Sequence, residues 1–137
     1  MSFHDLPDDW PDRPLTDPLL VPDVLDLVVG EHDRVTGCVG VLVCDADCRL
    51  VQPMVVSIQT ADDWPRVMEQ IVSVVLEVLG DDMAGVLIVA LGRPDGLSIT
   101  DHDRLRCDEL RAALAPTSWS LGGVHLITVG GSRLVAA

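Results

Sequence analysis

The stretch ADDWPRVMEQIVSVVLEVLGDDMAGVLIVAL, residues 61–91, decides the fold class because a helix pattern is followed directly by a strand pattern. In its first part, apolar residues recur at helical spacing, namely Val67, Met68, Ile71, Val75, Val78 and Leu79. Asp62 or Asp63 can cap this helix, and Gly80 can terminate it. The continuous apolar run over 84–91 then predicts a strand that is buried on both faces of a sheet.

The elements on either side of this stretch extend the same α/β pattern. They are a strand pair over 37–60 with its turn at 45–47, helices over 22–30 and 100–115, and a final strand pair joined at Gly130 and Gly131. Pro53 predicts an interruption or a bulge in the second strand of the first pair. The order β-β-α-β-loop-α-β-β predicts an α/β domain with a mixed central sheet flanked by helices.

The chain of 137 residues is short enough for a single domain. Residues 1–22 are rich in Pro and Asp, and we expect them to form an N-terminal arm that lies extended on the surface or is partly disordered. Residues 23–137 are then the α/β domain.

The charge balance excludes some classes of partner. The net charge is −13, and the nine Arg are scattered singly rather than clustered. Because such a surface repels phosphate backbones and anionic headgroups, we expect no nucleic-acid partner and no membrane partner. The start MSFHDLPDDW lacks the basic and apolar regions of a signal peptide.

The four cysteines indicate a reducing environment. Without a secretory signal, reduced thiols are the better interpretation of this even number, and we expect a cytoplasmic protein. Cys44 and Cys48 are separated by three residues, and no second Cys or His pair stands at zinc-finger spacing. The cysteines are therefore predicted to be small core residues rather than zinc ligands.

Four stretches together resemble a known family. VGVLVCDADCRL, PRVMEQIVSVVLEVLG, AGVLIVALGRPDG and GGVHLITVGGSRLV follow one another as in the JAB/MPN metalloprotease superfamily, and most like its bacterial RadC-like branch, over about residues 36 to 135. The resemblance implies a single JAB1/MPN-like (cytidine-deaminase-like) domain. Active members hold one zinc through two His and one Asp, and an upstream Glu serves as general base towards the zinc-bound water. Such a ligand set leaves an open position at which the metal lowers the pKa of water.

The resemblance also implies where these groups should stand, and this chain has other residues there. In place of the family's His-x-His-Pro-Ser-Gly it has LGRPDG, residues 91–96, so Leu91 and Arg93 replace both imidazoles. An ungapped count puts Arg104 at the Asp position, and Asp103 fits only after one deletion. No Glu stands in the matching region VQPMVVSIQ. Since a guanidinium is always protonated and repels a cation, the resemblance implies a degenerate member, a pseudoenzyme with no catalytic residue and no metal.

Three functions stay open at this point. Members of the superfamily that lost the metal motif typically pair with another MPN domain, so the resemblance implies a non-catalytic protein-binding or assembly module with a protein partner or a homodimer. A metal-dependent hydrolase of the isopeptidase or protease kind would hold zinc through substituted ligands drawn from Asp101, His102, Asp103 and Cys107. A small-anion sensor would use the loop over 92–100, with candidate ligand-binding residues Arg93, Asp95, Ser98 and Thr100.

Each of these polar residues also has a structural interpretation. Thr100 and Asp103 have the spacing of a capping box, which we favour over a ligand role for Asp103. His102 is expected to be a solvent-exposed residue of the first helical turn. Arg93 could bind a carboxylate or phosphate of a ligand or pair with an aspartate of its own loop, Asp95 or Asp101, and the sequence favours neither.

His125 lies in an apolar strand. We expect it to be a hydrogen-bonded residue of the core or of a sheet edge.

Overall fold

The computed structural model describes residues 6–58, 63–80, 83–94 and 96–136. Within these ranges the elements are α1 (Leu20–Val28), α2 (Glu31–Thr36), β1 (Cys38–Cys44), β2 (Leu50–Ser57), α3 (Trp64–Leu79), β3 (Gly85–Gly92), α4 (Asp101–Leu114), β4 (Trp119–Thr128) and β5 (Gly131–Ala136), after a 3-10 turn at Trp10–Asp12. The predicted capping residue Asp62 and the predicted loop residue Asp95 lie outside the described residues.

The five strands form one mixed sheet in the order β2-β1-β3-β4-β5. β1 runs antiparallel to β2 and to β3, β3 runs parallel to β4, and β4 runs antiparallel to β5. The mixed α/β fold with helices around a central sheet is therefore confirmed. Because β3 and β4 are parallel, their carboxyl ends meet at one end of the sheet, where Gly92 pairs with Ile127.

Helices cover the sheet on both faces, which explains the uninterrupted burial of β1 and of most of β3. Alternate residues of a strand point to opposite faces. One face packs against α3 and α4 in a cluster that includes Val39, Val41, Val67, Ile71, Leu87, Val89 and Leu110. The other face packs against α1 and the segment before it in a cluster that includes Leu15, Leu20, Val24, Leu25, Leu42 and Ile88. The prediction of a strand buried on both faces over 84–91 is confirmed.

The segment before α1 contributes to the core. Leu15 is buried in the same cluster as Leu20 and Val21 at the start of α1, and the Leu15 N–H donates to the carbonyl of Cys48 at 2.7 Å. α1 begins two residues earlier than the predicted helix over 22–30. In this part of the predicted arm, the residues that face the sheet are apolar. The arm therefore packs on the core although it contains several prolines.

Pro53 lies inside a continuous strand. β2 extends from Leu50 to Ser57 and forms one edge of the sheet. The irregularity in its pairing with β1 falls between Val43 and Cys44, opposite the start of β2, and Pro53 pairs in register with Leu42. An edge strand tolerates the missing N–H of proline because only one of its sides is hydrogen-bonded.

A buried arginine fixes α2, which the sequence pattern did not predict. Arg34 is only 6% exposed and donates to the carbonyls of Val29 at 2.7 and 3.0 Å, of Thr128 at 3.2 Å and of Asp26 at 3.3 Å. It also reaches the Asp26 carboxylate at 2.8 Å. These contacts join the end of α1 and the end of β4 to α2.

No helix in the described ranges has both the length and the apolar character that a membrane crossing requires.

Candidate functional site

The loop between β3 and α4 lies at the carboxyl ends of the two parallel strands. Its first residue outside the strand, Arg93, donates its main-chain N–H to the carbonyl of Ile127 at 3.2 Å. Gly92 lies so close to β1 that an added Cβ would stand 2.5 Å from the Cys38 sulfur. A glycine is therefore needed where the loop leaves the sheet.

The Arg93 guanidinium is bound by groups of its own chain. Its Nη1 donates to both carboxylate oxygens of Asp103, at 2.7 and 2.8 Å. Its Nη2 donates to the carbonyls of Ser98 and of Gly96. The partner is thus Asp103, whereas Asp101 pairs with Arg104 at 3.3 Å on the surface. Of the two aspartates suggested as intramolecular partners, Asp95 lies outside the described residues and Asp101 is wrong, because Asp101 lies exposed while Asp103 turns inward towards the loop.

Asp103 is held from a second side by the start of α4. The Thr100 N–H donates to the Asp103 carboxylate at 2.8 Å, and the Asp103 N–H donates to the Thr100 hydroxyl at 3.2 Å. The predicted capping box is confirmed. Asp103 is only 5% exposed, so its carboxylate is buried between a cationic side chain and a helix N-terminus.

The side chains of the remaining residues of the sequence-predicted sites do not form a metal-binding cluster among the described residues. Ser98 and Thr100 are exposed, and Ser98 contributes its carbonyl to Arg93. His102 is exposed, as expected for the first helical turn, whereas Cys107 is buried in the core under α4. Among the described residues, no group of three or more His, Cys, Asp or Glu side chains is arranged to hold a metal ion.

The cysteine thiols are poor candidates for ligands or nucleophiles at neutral pH. All four are free and buried. Burial raises the pKa of Cys38 to about 11 and that of Cys44 to about 12. Burial also raises the pKa of Cys48 and of Cys107. Since the thiolate is the reactive and metal-binding form, these side chains behave as small apolar residues.

A small cleft of about 150 Å³ lies beside the Arg93–Asp103 pair. Its walls are formed by Cys38, Ile58, Trp64, Leu91, Gly92, Arg93, His102, Asp103 and Arg106. The Arg106 guanidinium stacks over the Trp64 ring at 4.5 Å from the centroid, a favourable cation–π distance. Arg93 Nε and Trp64 Nε1 are buried without a hydrogen-bond partner among the described residues.

A larger groove of about 780 Å³ opens on the opposite face of the sheet. The segment before α1 and the β1–β2 turn form one side, and β3, β4 and β5 form the rest. Its lining includes Leu15, Thr16, Pro18, Val21, Pro22, Asp47, Val86, Ile88, Ser120, Gly122, His125, Ser132, Arg133 and Leu134. The sequence pattern did not predict this groove, and the adjacent glycines of SLGGVHL are the one local signal that could have drawn attention to it.

His125 lies in this groove, half-buried, rather than in the core. Its expected hydrogen bond is not found, since the imidazole has no hydrogen-bond partner in the part of the chain that the structure describes. Burial lowers the pKa of His125 below its usual 6.5, so the ring is neutral at pH 7.

Comparison of the chain with protein-family models, with curated proteins and with solved structures finds no match in any of the three.

Proposed function

We propose that this chain is a non-catalytic RadC/MPN-like domain that works as an assembly module through self-association. The Arg93–Asp103 pair carries the proposal. By the resemblance, Arg93 stands where an active member has a zinc-binding His, and Asp103 is the nearest candidate for the zinc-binding Asp. The mixed sheet with helices on both faces is the kind of architecture that the resemblance implies, which supports it at that coarse level.

The geometry of the pair favours this proposal over a hydrolase with substituted ligands. Both oxygens of Asp103 accept bonds from Arg93, and one of them also accepts from the Thr100 N–H. A zinc ion at Asp103 would have to displace a permanent positive charge that is already held by two short contacts. The guanidinium therefore takes the electrostatic role that a bound cation would have there.

The same pair also favours assembly over an anion sensor built on the 92–100 loop. Arg93 is the only arginine of that loop, and its guanidinium already binds a carboxylate of its own chain. An external anion would have to compete with Asp103, which sits 2.7 Å away and is anchored by the capping box.

The charge distribution indicates where a second copy can approach. No Asp or Glu follows Glu109, so α4's end, β4 and β5 carry none of the 22 acidic residues. A protein of net charge −13 repels its own copies, and an interface between copies is least costly where acidic groups are missing.

The two edges of the sheet differ in how open they are to pairing. β2 carries Pro53, which protects an edge, whereas β5 has no proline. On β5, Leu134 is 50% exposed, and Val129 in the preceding turn is exposed as well. We propose that β5 pairs antiparallel with β5 of a second copy, which would join two five-stranded sheets. The free cysteines support a cytoplasmic location for this assembly.

Sedimentation equilibrium over a wide concentration range tests the assembly. We expect the wild-type chain to form dimers, and Leu134→Asp to weaken the dimer by about tenfold or more, because it places carboxylates near the two-fold axis. Val51→Asp is the matched control, since Val51 is 48% exposed on the opposite edge strand. A monomeric wild type, or equal weakening by both variants, would contradict pairing through β5.

Titration of zinc into the metal-free protein tests the non-catalytic part of the proposal. We expect no stoichiometric binding at a Kd tighter than about 1 μM, because both carboxylate oxygens of Asp103 already accept hydrogen bonds and the Arg93 cation repels a metal ion. Stoichiometric zinc that is lost in Asp103→Asn would favour the hydrolase instead. Leu105→Asn on the exposed face of α4 controls for the added amide.

A further inference from the structure

The groove on the α1 face of the sheet has the dimensions of a small-molecule site. Its volume of about 780 Å³ falls within the range of roughly 300–1,000 Å³ that ligand pockets occupy. Most of its walls are apolar, with Leu15, Val21, Val86 and Ile88 among them. It lies on the face of the sheet opposite to the Arg93–Asp103 pair, which packs with α3 and α4.

Gly122 lines the groove together with the side chains of Val86, Ile88 and His125. The pairing of β3 with β4 shifts between Leu87 and Ile88, which pair with Leu121 and Gly123, so Gly122 is the extra residue of a β-bulge. A Cβ on Gly122 would stand 2.6 Å from Val86 Cγ1, which leaves no room for a side chain. A Cβ on Gly123 would make ordinary contacts with His125 Nε2 at 3.6 Å and Leu134 Cδ1 at 3.7 Å.

The missing side chain at Gly123 leaves room beside His125 and Leu134, while Val86 occupies the space next to Gly122. Pro18 and Pro22 also line the groove and add rigid apolar rings to its walls. Apolar walls with few polar groups suit a small, mostly apolar ligand.

The polar groups of the groove are neutral inside and charged only at the rim. His125 and Ser132 are half-buried, and the lowered pKa of His125 keeps its ring uncharged at neutral pH. Asp47 is largely exposed and lies 3.7 Å from Arg49, while Arg133 is exposed and donates to the carbonyl of Leu97 at 3.2 Å. A ligand in the groove thus meets one free imidazole and hydroxyl groups, with no charged side chain buried beside it.

We propose that this groove binds a small, uncharged, mostly apolar molecule that carries one hydroxyl or amide group. The apolar part lies against Val86 and Ile88, and the polar group exchanges a hydrogen bond with the His125 imidazole. The groove borders the proposed assembly edge at Leu134 and contacts the 92–100 loop through Arg133, but the Arg93–Asp103 pair lies outside it.

Calorimetric titration with three probes that share one ring system tests the ligand class. The probes are naphthol, which is neutral, naphthoate, which is an anion, and naphthylmethylammonium, which is a cation. We expect naphthol to bind with a Kd about tenfold lower than either charged probe, because the groove offers no buried counter-charge. Equal or tighter binding of a charged probe would overturn the proposed ligand class.

Variants of Gly123 and of the imidazole test the location. Gly123→Val crowds the groove at His125 and Leu134 and is expected to abolish naphthol binding, while Gly123→Ala, which fits the ordinary contact distances, weakens it. His125→Phe keeps the ring volume and is expected to bind naphthol no better than naphthalene. Gly96→Val, at a loop glycine with open space around its Cβ position, is the control and should bind as the wild type does.

Thermal melts identify any variant that fails to fold. Naphthol binding that survives in folded Gly123→Val or in His125→Phe at wild-type strength would overturn the site, and so would the lack of any binding by the wild type.

Discussion

Arg34 and Arg93 bind successive residues at the same end of β4, but they do so through different kinds of partner. Arg34 uses its side chain to reach the carbonyl of Thr128, and Arg93 uses its main-chain N–H to reach that of Ile127. The Arg34 guanidinium is satisfied mostly by main-chain carbonyls, with one carboxylate contact to Asp26. The Arg93 guanidinium binds the Asp103 carboxylate and two loop carbonyls, and its Nε has no partner among the described residues.

These different partners indicate different roles: Arg34 connects separate elements of the fold, and Arg93 stabilises a single loop. Arg34 joins α1, α2 and β4, since its partners are Asp26 and Val29 on one side and the distant Thr128 on the other. Arg93 and its guanidinium partners all lie between residues 93 and 103, and the group it neutralises is a side chain. Loss of Arg34 leaves several buried carbonyls unpaired, whereas loss of Arg93 leaves one buried carboxylate.

The largest effect is expected for Arg34→Met, which keeps the aliphatic bulk and removes every hydrogen bond. We expect the free energy of unfolding to fall by about 4 kcal/mol, because buried carbonyls of Val29 and Thr128 lose their donor together. Urea denaturation followed by circular dichroism measures the change. If Arg34→Met does not fold, Arg34→Lys, which retains the charge and can serve fewer acceptors, is expected to lose less and remain measurable.

Arg104→Met is the matched control for this comparison. Arg104 forms an exposed pair with Asp101 at 3.3 Å, and removing it should change stability by less than about 0.5 kcal/mol. Equal losses in the two variants would show that burial and carbonyl contacts do not distinguish Arg34 from a surface arginine.

A smaller loss is expected for Arg93→Met, of about 2 kcal/mol, because the Asp103 carboxylate stays buried with only the Thr100 N–H as its strong partner. The same denaturation experiment measures it. Asp103→Asn in the Arg93→Met background removes the uncompensated charge while keeping an acceptor for the cap. That double variant should recover part of the loss, and a further loss instead would show that the two side chains do not form the pair.

The sequence predicted those features that depend on residues close together in the chain. The helix over 63–80, the strand over 84–91 and the capping box at Thr100 and Asp103 all follow from local spacing, and the structure has them. Pro53 was a local signal whose meaning depended on whether β2 is an edge or a central strand. Strand order is set by distant pairings, so the sequence alone could not decide this.

The features that the sequence did not predict depend on contacts between distant segments. Arg34 is one charged residue in the short stretch EHDRVT, and nothing there shows that its acceptors lie in α1 and β4. The groove is lined both by the segment before α1 and by β5, and a hydrophobic pattern cannot specify a gap between segments so far apart in the chain. The partner of Arg93 lay within reach of local reasoning, but choosing Asp103 over Asp101 requires knowing which side of α4 faces the loop.

The smallest loss of stability is expected for Thr100→Val, which changes the helix cap that holds Asp103. Thr100→Val removes the hydroxyl that accepts from the Asp103 N–H and leaves the shape of the side chain, so we expect a loss of about 1 kcal/mol. Thr36→Val is the control, since the Thr36 hydroxyl only donates to the carbonyl of His32 within its own helix and should contribute less than about 0.5 kcal/mol. In the double variant with Arg93→Met, the loss in free energy of unfolding should differ from the sum of the two single losses, because both variants act on Asp103. Strict additivity would mean that the cap and the guanidinium hold Asp103 independently. Arg93 would then be uncoupled from the cap of α4.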